Sequence, residues 1–395
     1  MDERRPRTRR WLDAAAALTI LGGACGGGTS LIGDGGDGEP WRPPIEDIGE
    51  SGWRDSTEPW VPPALPDCRF TRFFPLDVWC EPGGVVASYG WDEFEVTPEG
   101  GARGLGTYFS VAHNDGTGWV EWFRPTCGSG GSGATCVYML DGRLAEGILG
   151  HGVDAVGLIT PEGVASRWSE LVPIEQFWVV NEHLAYALWS ERVVRFDGTG
   201  WSPLPAEPPS GSYKLLWGDE TELWIAGNDG AVAEWTGDSW RIHSAGTIAD
   251  FTAIWGMGDR RVWLASGGAL RFHDLDDTWS EVPWPDASAD APCRGDAGIR
   301  GFWGAGEVLF FHTGDQVIRW DGVNFEVLGY WPARREGGNC VGGLVIAAMW
   351  GNTTDEVFFA VMDRNTSVTP ECPGGYGSPG RPFVLYWDGT TFHWM

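Results

Sequence analysis

The chain has 395 residues, 42% of them hydrophobic, and 55 acidic against 27 basic side chains give it a formal net charge of −28. Its length and apolar content are sufficient for a large buried core. The acidic surplus argues against a nucleic-acid-binding protein and against direct binding to anionic lipid.

Residues 1–24 predict a signal peptide. Five arginines precede an apolar stretch at 14–21 that is too short to span a membrane, and small residues follow up to Cys25. The pair Ala24-Cys25 resembles a bacterial lipobox, in which the cysteine is lipidated and becomes the mature N-terminus, although Leu21 lies four residues before Cys25 instead of three. The alternative is an ordinary signal peptide that leaves Cys25 as a thiol.

Residues 25–67 are rich in Gly, Pro, Asp and Glu and predict a flexible, lipid-anchored tether. A coil of this length spans roughly 35 Å r.m.s.. The expected location is the bacterial cell envelope, as an outer-membrane lipoprotein on its periplasmic or outer side. The anchor is then the sole contact with the membrane.

A Trp-rich phrase recurs along the rest of the chain. Trp-Gly pairs begin at Trp217, Trp255, Trp303 and Trp350, with spacings of 38, 48 and 47 residues. Each copy contains apolar runs bounded by Gly and Asp, which predict four short strands. A repeat of 40 to 50 residues with four strands is typical of a blade of a β-propeller, an all-β closed ring.

Counting back from the C-terminus gives the predicted blades. They lie near 344–395, 298–330, 250–287, 212–245, 176–206, 143–173 and 68–98. Residues 104–142 form either an eighth blade or a long insertion, and we predict seven blades within a propeller domain at 68–395. An open solenoid is disfavoured because such a stack needs polar caps at its ends, whereas the last copy ends on the apolar segment 392–394.

The predicted turns between the third and fourth strands contain Asp-Gly at Asp197, Asp321 and Asp388. Asp-Gly between apolar runs is typical of a two-residue type I′ hairpin, which needs positive φ at both central residues. We therefore predict such hairpins in these three copies.

The tryptophans at repeat positions are expected to fill the space between twisted sheets. These structural residues are Trp217, Trp224, Trp255, Trp263, Trp303 and Trp350. Trp189 and Trp284 lie outside the regular positions and are candidates for facing a ligand such as a glycan.

The eight cysteines agree with an oxidising compartment. We predict a Cys68–Cys80 bond in the first blade and a Cys340–Cys372 bond in the last. In each pair one cysteine is expected before the first strand and the other after the second, on one face of the ring. We also predict a Cys127–Cys136 bond, which leaves Cys293 unpaired besides the lipidated Cys25.

No catalytic residue, metal ligand or cofactor is predicted. The seven histidines have no short spacing that places two imidazoles on one metal, so we expect scattered surface residues. There is no Gly-x-Ser-x-Gly elbow and no phosphate-binding loop. Asp197 to Trp201 resembles the Asp box of sialidase-type propellers, but its Trp lies one residue too early and no arginine triad accompanies it.

The repeat phrase resembles that of uncharacterised bacterial Trp-rich repeat β-propeller lipoproteins, strongly over 176–395 and weakly over 68–172. The resemblance implies a fold and a location, without an activity. We predict a monomeric, non-enzymatic envelope module that binds or scaffolds a protein or a glycan through one propeller face. The alternatives are a propeller enzyme acting on extracellular polysaccharide and an outer-membrane assembly factor.

Overall fold

The structure is a computed structural model. It describes residues 69–81, 84–96, 102–114, 117–123, 139–144, 147–151, 156–168, 174–189, 192–257, 261–286, 298–336, 339–363, 367–368, 377–378 and 382–395. The predicted signal peptide, Cys25 and the tether lie outside the described residues. No helix among the described residues is long and apolar enough to cross a membrane.

Seven four-stranded antiparallel sheets, which we call blades 1 to 7, follow one another along the chain. Blades 1 to 3 contain β1 (Arg69–Glu81), β2 (Gly84–Val96), β3 (Ala102–Asn114), β4 (Trp119–Phe123); β5 (Met139–Leu144), β6 (Gly147–His151), β7 (Val156–Thr160), β8 (Gly163–Arg167); and β9 (Ile174–Asn181), β10 (Leu184–Trp189), β11 (Arg192–Phe196), β12 (Trp201–Pro203). Blades 4 and 5 contain β13 (Tyr213–Gly218), β14 (Leu223–Gly227), β15 (Ala231–Trp235), β16 (Trp240–Ser244); and β17 (Ala253–Gly256), β18 (Val262–Ser266), β19 (Ala269–His273), β20 (Trp279–Val282).

Blade 6 contains β21 (Gly301–Ala305), β22 (Val308–His312), β23 (Gln316–Trp320) and β24 (Phe325–Tyr330). The remaining strands are β25 (Arg334–Glu336), β26 (Asn339–Val341), β27 (Leu344–Thr353), β28 (Glu356–Asp363), β29 (Ser367–Val368), β30 (Gly377–Ser378), β31 (Pro382–Trp387) and β32 (Phe392–Trp394). Blade 7 pairs β27, β28, β31 and β32, whereas β25–β26 and β29–β30 are two-stranded. A 3-10 helix covers Asn228–Gly230.

The blades close into a ring. The first strand of each blade contacts the first strand of the next, and β27 of blade 7 contacts β1 of blade 1. At this joint Val78 and Val85 pack with Phe358, Ala360 and Val384. All four strands of blade 7 come from the C-terminal segment, so side-chain packing between two complete blades joins the ends of the ring.

The prediction of a seven-bladed all-β propeller is confirmed, with a correction at its start. The predicted first blade, 68–98, contains only β1 and β2. β3 and β4 complete it, and blade 2 begins at β5. Residues 104–142 are therefore neither an eighth blade nor one long insertion.

Contacts between adjacent blades explain the Trp-Gly pairs. A Cβ on Gly256 would lie 2.2 Å from the ring of Trp217 in the preceding blade, and one on Gly351 would lie 2.8 Å from the ring of Trp303. Each indole thus lies against the glycine of the next copy, where only the absence of a side chain leaves room. Five of the six predicted structural tryptophans are buried and Trp350 is half-buried.

The predicted type I′ hairpins are wrong. β11 and β12 are joined by the four residues 197–200, and in this loop only Gly198 has positive φ, at 90°. The Asp197 carboxylate accepts the backbone N–H of Thr199 and Gly200. Asp321 and Asp388 form equivalent loops, because an aspartate that accepts N–H groups two and three residues on stabilises its own turn.

The structure changes one argument about the cysteines. Cys80 lies near the end of β1, opposite Val85, and does not follow the second strand. Cys68 lies outside the described residues. The premise that Cys80 follows the second strand is therefore wrong, and the Cys68–Cys80 bond stays a prediction.

The other cysteine pairs stay predictions. Cys340 lies in β26, before β27, and Cys372 falls between β28 and β31, which are the places predicted for them. The side chain of Cys340 and residues Cys127, Cys136 and Cys372 lie outside the described residues.

Candidate functional site

Three tryptophans close the axis of the ring. Trp178 of blade 3, Trp255 of blade 5 and Trp350 of blade 7 have ring centroids 5.3, 6.2 and 6.4 Å apart. No two of these blades are neighbours, so the indoles meet across the axis. Trp79 of blade 1 lies 4.1 Å from Trp350. The central channel is thus blocked at this level.

Bulges shape the inner strands before they reach the tryptophans. In five inner strands the pairing shifts by one residue, three residues before a Trp or, in blade 2, a Leu. The shifts lie at Leu76 before Trp79, Asp141 before Leu144, Glu175 before Trp178, Lys214 before Trp217 and Ala347 before Trp350. Bulges redirect side chains and are frequent at functional sites. Three residues of strand correspond to about 10 Å, so these positions surround the axis well away from the indoles.

Polar side chains surround this end of the axis, which we call the channel mouth. Its exposed members are Glu175, Lys214, Thr252 and Arg300. Asp77, Asp141 and His151 add a group that we call the acid–imidazole cluster. The channel mouth is therefore polar and charged, whereas the level of the tryptophans is apolar.

The acid–imidazole cluster joins blades 1 and 2. His151 Nδ1 lies 2.7 Å from Asp141 Oδ2, in a side-chain pair that is mostly buried. Asp77 accepts the backbone N–H of Leu140 at 3.0 Å and of Val78 at 2.9 Å. Two carboxylates and an imidazole thus share one partly water-excluded region.

The environment shifts the proton affinities of this cluster. Burial raises the pKa of Asp77 to about 7, and the charge of Asp141 also raises it. The backbone hydrogen bonds to Asp77 and the charge of His151 lower this pKa but do not outweigh burial. Burial lowers the pKa of His151, but the charge and hydrogen bond of Asp141 and the charge of Asp77 outweigh it, so the net pKa is raised. A carboxyl group with a pKa of about 7 exchanges its proton near neutral pH, and perturbed pKa values of this kind are common at functional sites.

Asp77 also has a structural role. Gln176 lies two residues before Trp178, as Asp77 lies two residues before Trp79. Its side chain accepts the backbone N–H of Leu216 in the next blade at 2.6 Å. The equivalent contact of Asp77 with Leu140 shows that this position links neighbouring inner strands. What distinguishes Asp77 is the ionisable group, with Asp141 and His151 beside it.

The prediction that the histidines are scattered surface residues is wrong. His273, His312 and His393 are buried. His243 and His273, of blades 4 and 5, have ring centroids 5.2 Å apart. Burial, with the charge of Arg300, lowers the pKa of His312 to about 3. Sequence spacing missed these positions because packing between separate strands brings the side chains into the core.

Neither tryptophan singled out as a ligand candidate forms an open platform. Trp284 donates its Nε1–H to the carbonyl of Gly268 at 3.0 Å and packs edge-on against Phe311 at 5.5 Å. Trp189 packs against the core between blades 2 and 3.

Sequence reasoning missed the acid–imidazole cluster. One signal was present: His151 ends the second strand of blade 2 as His312 ends that of blade 6. Aligning the copies by strand end, instead of by tryptophan, would have singled out both histidines.

The sequence matches no family model. A search of curated proteins gives no match either. The fold and site therefore define the class of protein, a seven-bladed β-propeller with a charged channel mouth, without assigning it to a family.

Solved structures with similar architecture share little sequence. Virginiamycin B lyase from Staphylococcus aureus is 14% identical, with 74% of this chain and 95% of that chain covered and a TM-score of 0.48. The extracellular domain of the hybrid two-component system BT3049 from B. thetaiotaomicron is 10% identical, with coverages of 79% and 40% and a TM-score of 0.46. YCF48 from Cyanidioschyzon merolae is 12% identical, with coverages of 76% and 95% and a TM-score of 0.39.

Proposed function

We propose that this protein is a binding module that receives a positively charged segment of a partner protein at the channel mouth. The observation that carries the proposal is the pair of carboxylates of Asp141 and Glu175 at an end of the axis away from the blocking tryptophans. Asp77, with a pKa of about 7, is only partly charged at neutral pH, and Lys214 and Arg300 lie at the same mouth. The net charge of −28 favours the approach of a basic partner. A rigid ring with exposed charged side chains suits recognition without a cofactor.

A protein partner fits these residues better than a glycan does. Glycan recognition by stacking needs an accessible aromatic face, and Trp189 and Trp284 both pack against cores. The exposed groups at the channel mouth are instead carboxylate, ammonium, hydroxyl and guanidinium groups, which pair with charged protein side chains.

We place this module at the bacterial cell envelope, held by a lipid on Cys25 after removal of the signal peptide. The support is the order of basic, apolar and small residues before Cys25 and the Gly- and Pro-rich segment after it. We expect Cys25→Ala to release the protein from the membrane fraction. Retention of the substituted, processed protein in that fraction would contradict the anchor.

The experiment for the binding role uses two glutamates at opposite ends of β9. Glu175 belongs to the channel mouth, whereas Glu182 is exposed in the turn after β9. Residues 68–395 are immobilised as wild type, Glu175→Gln, Asp141→Asn and Glu182→Gln and exposed to envelope extract and to an array of lysine- and arginine-containing peptides. Each of the two glutamate variants loses one negative charge, so Glu182→Gln is the matched control.

We expect the wild type and Glu182→Gln to retain the same protein or peptide, eluted by salt, and the channel-mouth variants to retain less of it. Equal retention by all four proteins contradicts the assigned surface. Binding to a glycan array in place of any protein or basic peptide contradicts the assigned partner class.

One observation favours a second candidate, an enzyme acting on extracellular polysaccharide. A carboxyl group with a pKa of about 7 beside a carboxylate–imidazole pair can serve as an acid or base at neutral pH. Release of reducing ends from a panel of bacterial polysaccharides by the wild type, but not by Asp141→Asn, would favour this candidate over the binding module.

A further inference from the structure

We propose that blades 4 and 5 share a binding site for a divalent transition metal, of which Zn²⁺ is the expected occupant. The ligands are His243 of β16, His273 of β19 and Asp277 in the turn between β19 and β20. One ligand atom from each of the three lies within 4.8 Å of the other two. The site is separate from the channel mouth and does not depend on the function proposed for it.

The distances between ligand atoms suit a small cation. His273 Nε2 lies 3.2 Å from Asp277 Oδ1, and His243 Nδ1 lies 4.0 Å from the same oxygen. Zinc–ligand bonds of about 2.0 to 2.2 Å in tetrahedral geometry place the ligand atoms about 3.4 Å apart. The longest separation, at most 4.8 Å, must therefore shorten by about 1.4 Å for all three atoms to bind one ion.

A buried carboxylate supports the ligand role of His243. Its Nε2 lies 2.9 Å from Glu234 Oε2, and both side chains are more than nine-tenths buried. A histidine that binds metal through one ring nitrogen usually donates its other N–H to a carboxylate, which fixes the tautomer and turns the free lone pair toward the metal. Glu234 provides this contact and leaves Nδ1 of His243 for the ion.

Aromatic rings hold both imidazoles in place. The ring of Trp224 lies 4.6 Å from that of His243 and 5.2 Å from that of His273. The ring of Trp279 lies 4.8 Å from that of His273. These contacts exclude water from one side and limit rotation of the imidazoles, so little ordering is left for the metal to impose.

The charges around the site also favour a cation. Glu234 and Asp277 contribute two carboxylates, and Arg241 Nη1 lies 3.6 Å from Asp277 Oδ2 and 3.7 Å from Glu234 Oε2. Arg241 therefore contacts the Asp277 oxygen that does not face the imidazoles. With neutral imidazoles the net charge of these five groups is −1, which a divalent ion would reverse.

The ligand set indicates the class of metal. Two imidazoles and one carboxylate favour borderline ions such as Zn²⁺ over Ca²⁺ or Mg²⁺, which prefer oxygen ligands. The side chain of Asp277 is 51% exposed. Three protein ligands with one side open to solvent leave a fourth position for water or an external ligand.

The experiment compares two aspartates in equivalent turns. Asp388 in blade 7 is also contacted by a histidine of its own blade, with 2.7 Å between Oδ2 and His393 Nε2, whereas Asp277 faces histidines of two blades. Asp277 has φ of 65°, a conformation that asparagine tolerates, so Asp277→Asn removes the charged ligand while the turn remains possible. Asp388→Asn is the matched control.

The full chain is treated with chelator and titrated with Zn²⁺ by calorimetry, and with Co²⁺ to record its visible absorption. We expect one Zn²⁺ per chain, a tetrahedral Co²⁺ spectrum, and a melting temperature that rises with Zn²⁺. Asp388→Asn should behave as the wild type. Asp277→Asn should lose saturable binding, and Glu234→Gln should bind about 10- to 100-fold more weakly.

Circular dichroism establishes that each variant is folded. Absence of saturable Zn²⁺ binding to the folded wild type would overturn the site. Unchanged binding by Asp277→Asn, or an equal loss in Asp388→Asn, would overturn the assigned ligands.

Discussion

Blades 3 to 7 and blades 1 and 2 are built by different contacts at the axis. In blades 3 to 6 the indole meets the glycine of the next blade: Trp178 donates to the carbonyl of Gly218, and Trp217 and Trp303 lie against Gly256 and Gly351. In blades 1 and 2 this pattern ends, because Trp79 is followed by Cys80 and the inner strand of blade 2 ends at Leu144.

Ionisable groups are found where the Trp-Gly contact stops. Blades 1 and 2 are linked at the axis by Asp77, Asp141 and His151. Trp79 of blade 1 packs instead against Trp350 of blade 7. A repeated apolar contact thus joins blades 3 to 7 at the axis. Between blades 1 and 2 ionisable residues take its place.

The largest effect is expected from Trp350→Ala. Trp350 packs against the large core of blades 4 to 7 and against both cores that involve blade 1, so it joins the two regions. Loss of a fully buried indole typically costs about 3 to 5 kcal/mol, and Trp350, which is half-buried, should fall at the lower end of this range. In urea we expect blades 1 and 2 to unfold before the rest, detected by limited proteolysis. Trp284→Ala, away from the axis, should cost less; a single unchanged transition in Trp350→Ala would contradict this role.

Gly256→Ala should cost less than Trp350→Ala, because its effect is a steric clash with one neighbouring ring. The added Cβ would lie 2.2 to 2.3 Å from three atoms of Trp217, and such overpacking typically costs about 1 to 3 kcal/mol. Gly200→Ala is the control, since its Cβ meets nothing within 4 Å. Equal urea midpoints for the two variants would show that the glycine is not needed for the contact between blades.

The two regions should respond to pH in opposite directions. Asp77, with its pKa raised from 3.8 to about 7, keeps a proton that the unfolded chain has released, so its contribution is greatest below pH 4 and declines as pH rises to 7. His312 in blade 6, with its pKa lowered from 6.5 to about 3, contributes fully above pH 6.5 and less as pH falls to 3.

We therefore expect Asp77→Asn to gain stability relative to the wild type as pH rises from 4 to 7. His312→Phe should gain stability relative to the wild type as pH falls from 6.5 to 3. Free energies of unfolding measured across this range test both. Differences from the wild type that stay constant with pH would contradict the environments described for these two groups.

The smallest effect is expected from Glu307→Gln between blades 5 and 6. Arg261 donates two hydrogen bonds of 2.7 Å to Glu307, and the glutamate side chain is 62% exposed. Exposed ion pairs contribute about 1 kcal/mol or less and weaken with salt. The difference in unfolding free energy should be small and should vanish at high salt; a loss as large as that of Gly256→Ala would show that ion pairs also hold the regular region together.

The sequence repeat predicted the bounds of the blades correctly where one physical contact recurs. The Trp-Gly pairs located blades 4 to 7 to within a few residues. In blades 5 to 7 a Cβ on this glycine would meet the indole of the preceding blade. The bounds of blade 1 were not predicted correctly, because β2 and β3 are 13 residues long and no glycine follows Trp79.

The ionisable sites could not be predicted from spacing. His243 and His273 meet only because blade 5 packs against blade 4, and Asp77 meets Asp141 across two blades. Such neighbours are defined by the order of blades around the ring. Sequence patterns within one strand or one helix do not contain that information.

Side-chain packing between blades 7 and 1 closes the ring. Blades 4 and 5, and blades 6 and 7, are joined by the chain itself and by backbone hydrogen bonds such as Phe251 N–H to Gly227 and Ile346 N–H to Gly314. Among the residues that the structure describes, no connecting segment runs between blades 7 and 1. Opening there would separate Trp350 from Trp178 and admit water to the axis while every sheet kept its own hydrogen bonds. At this joint the ring can open without loss of a hydrogen bond inside either sheet, because blades 7 and 1 are separate sheets.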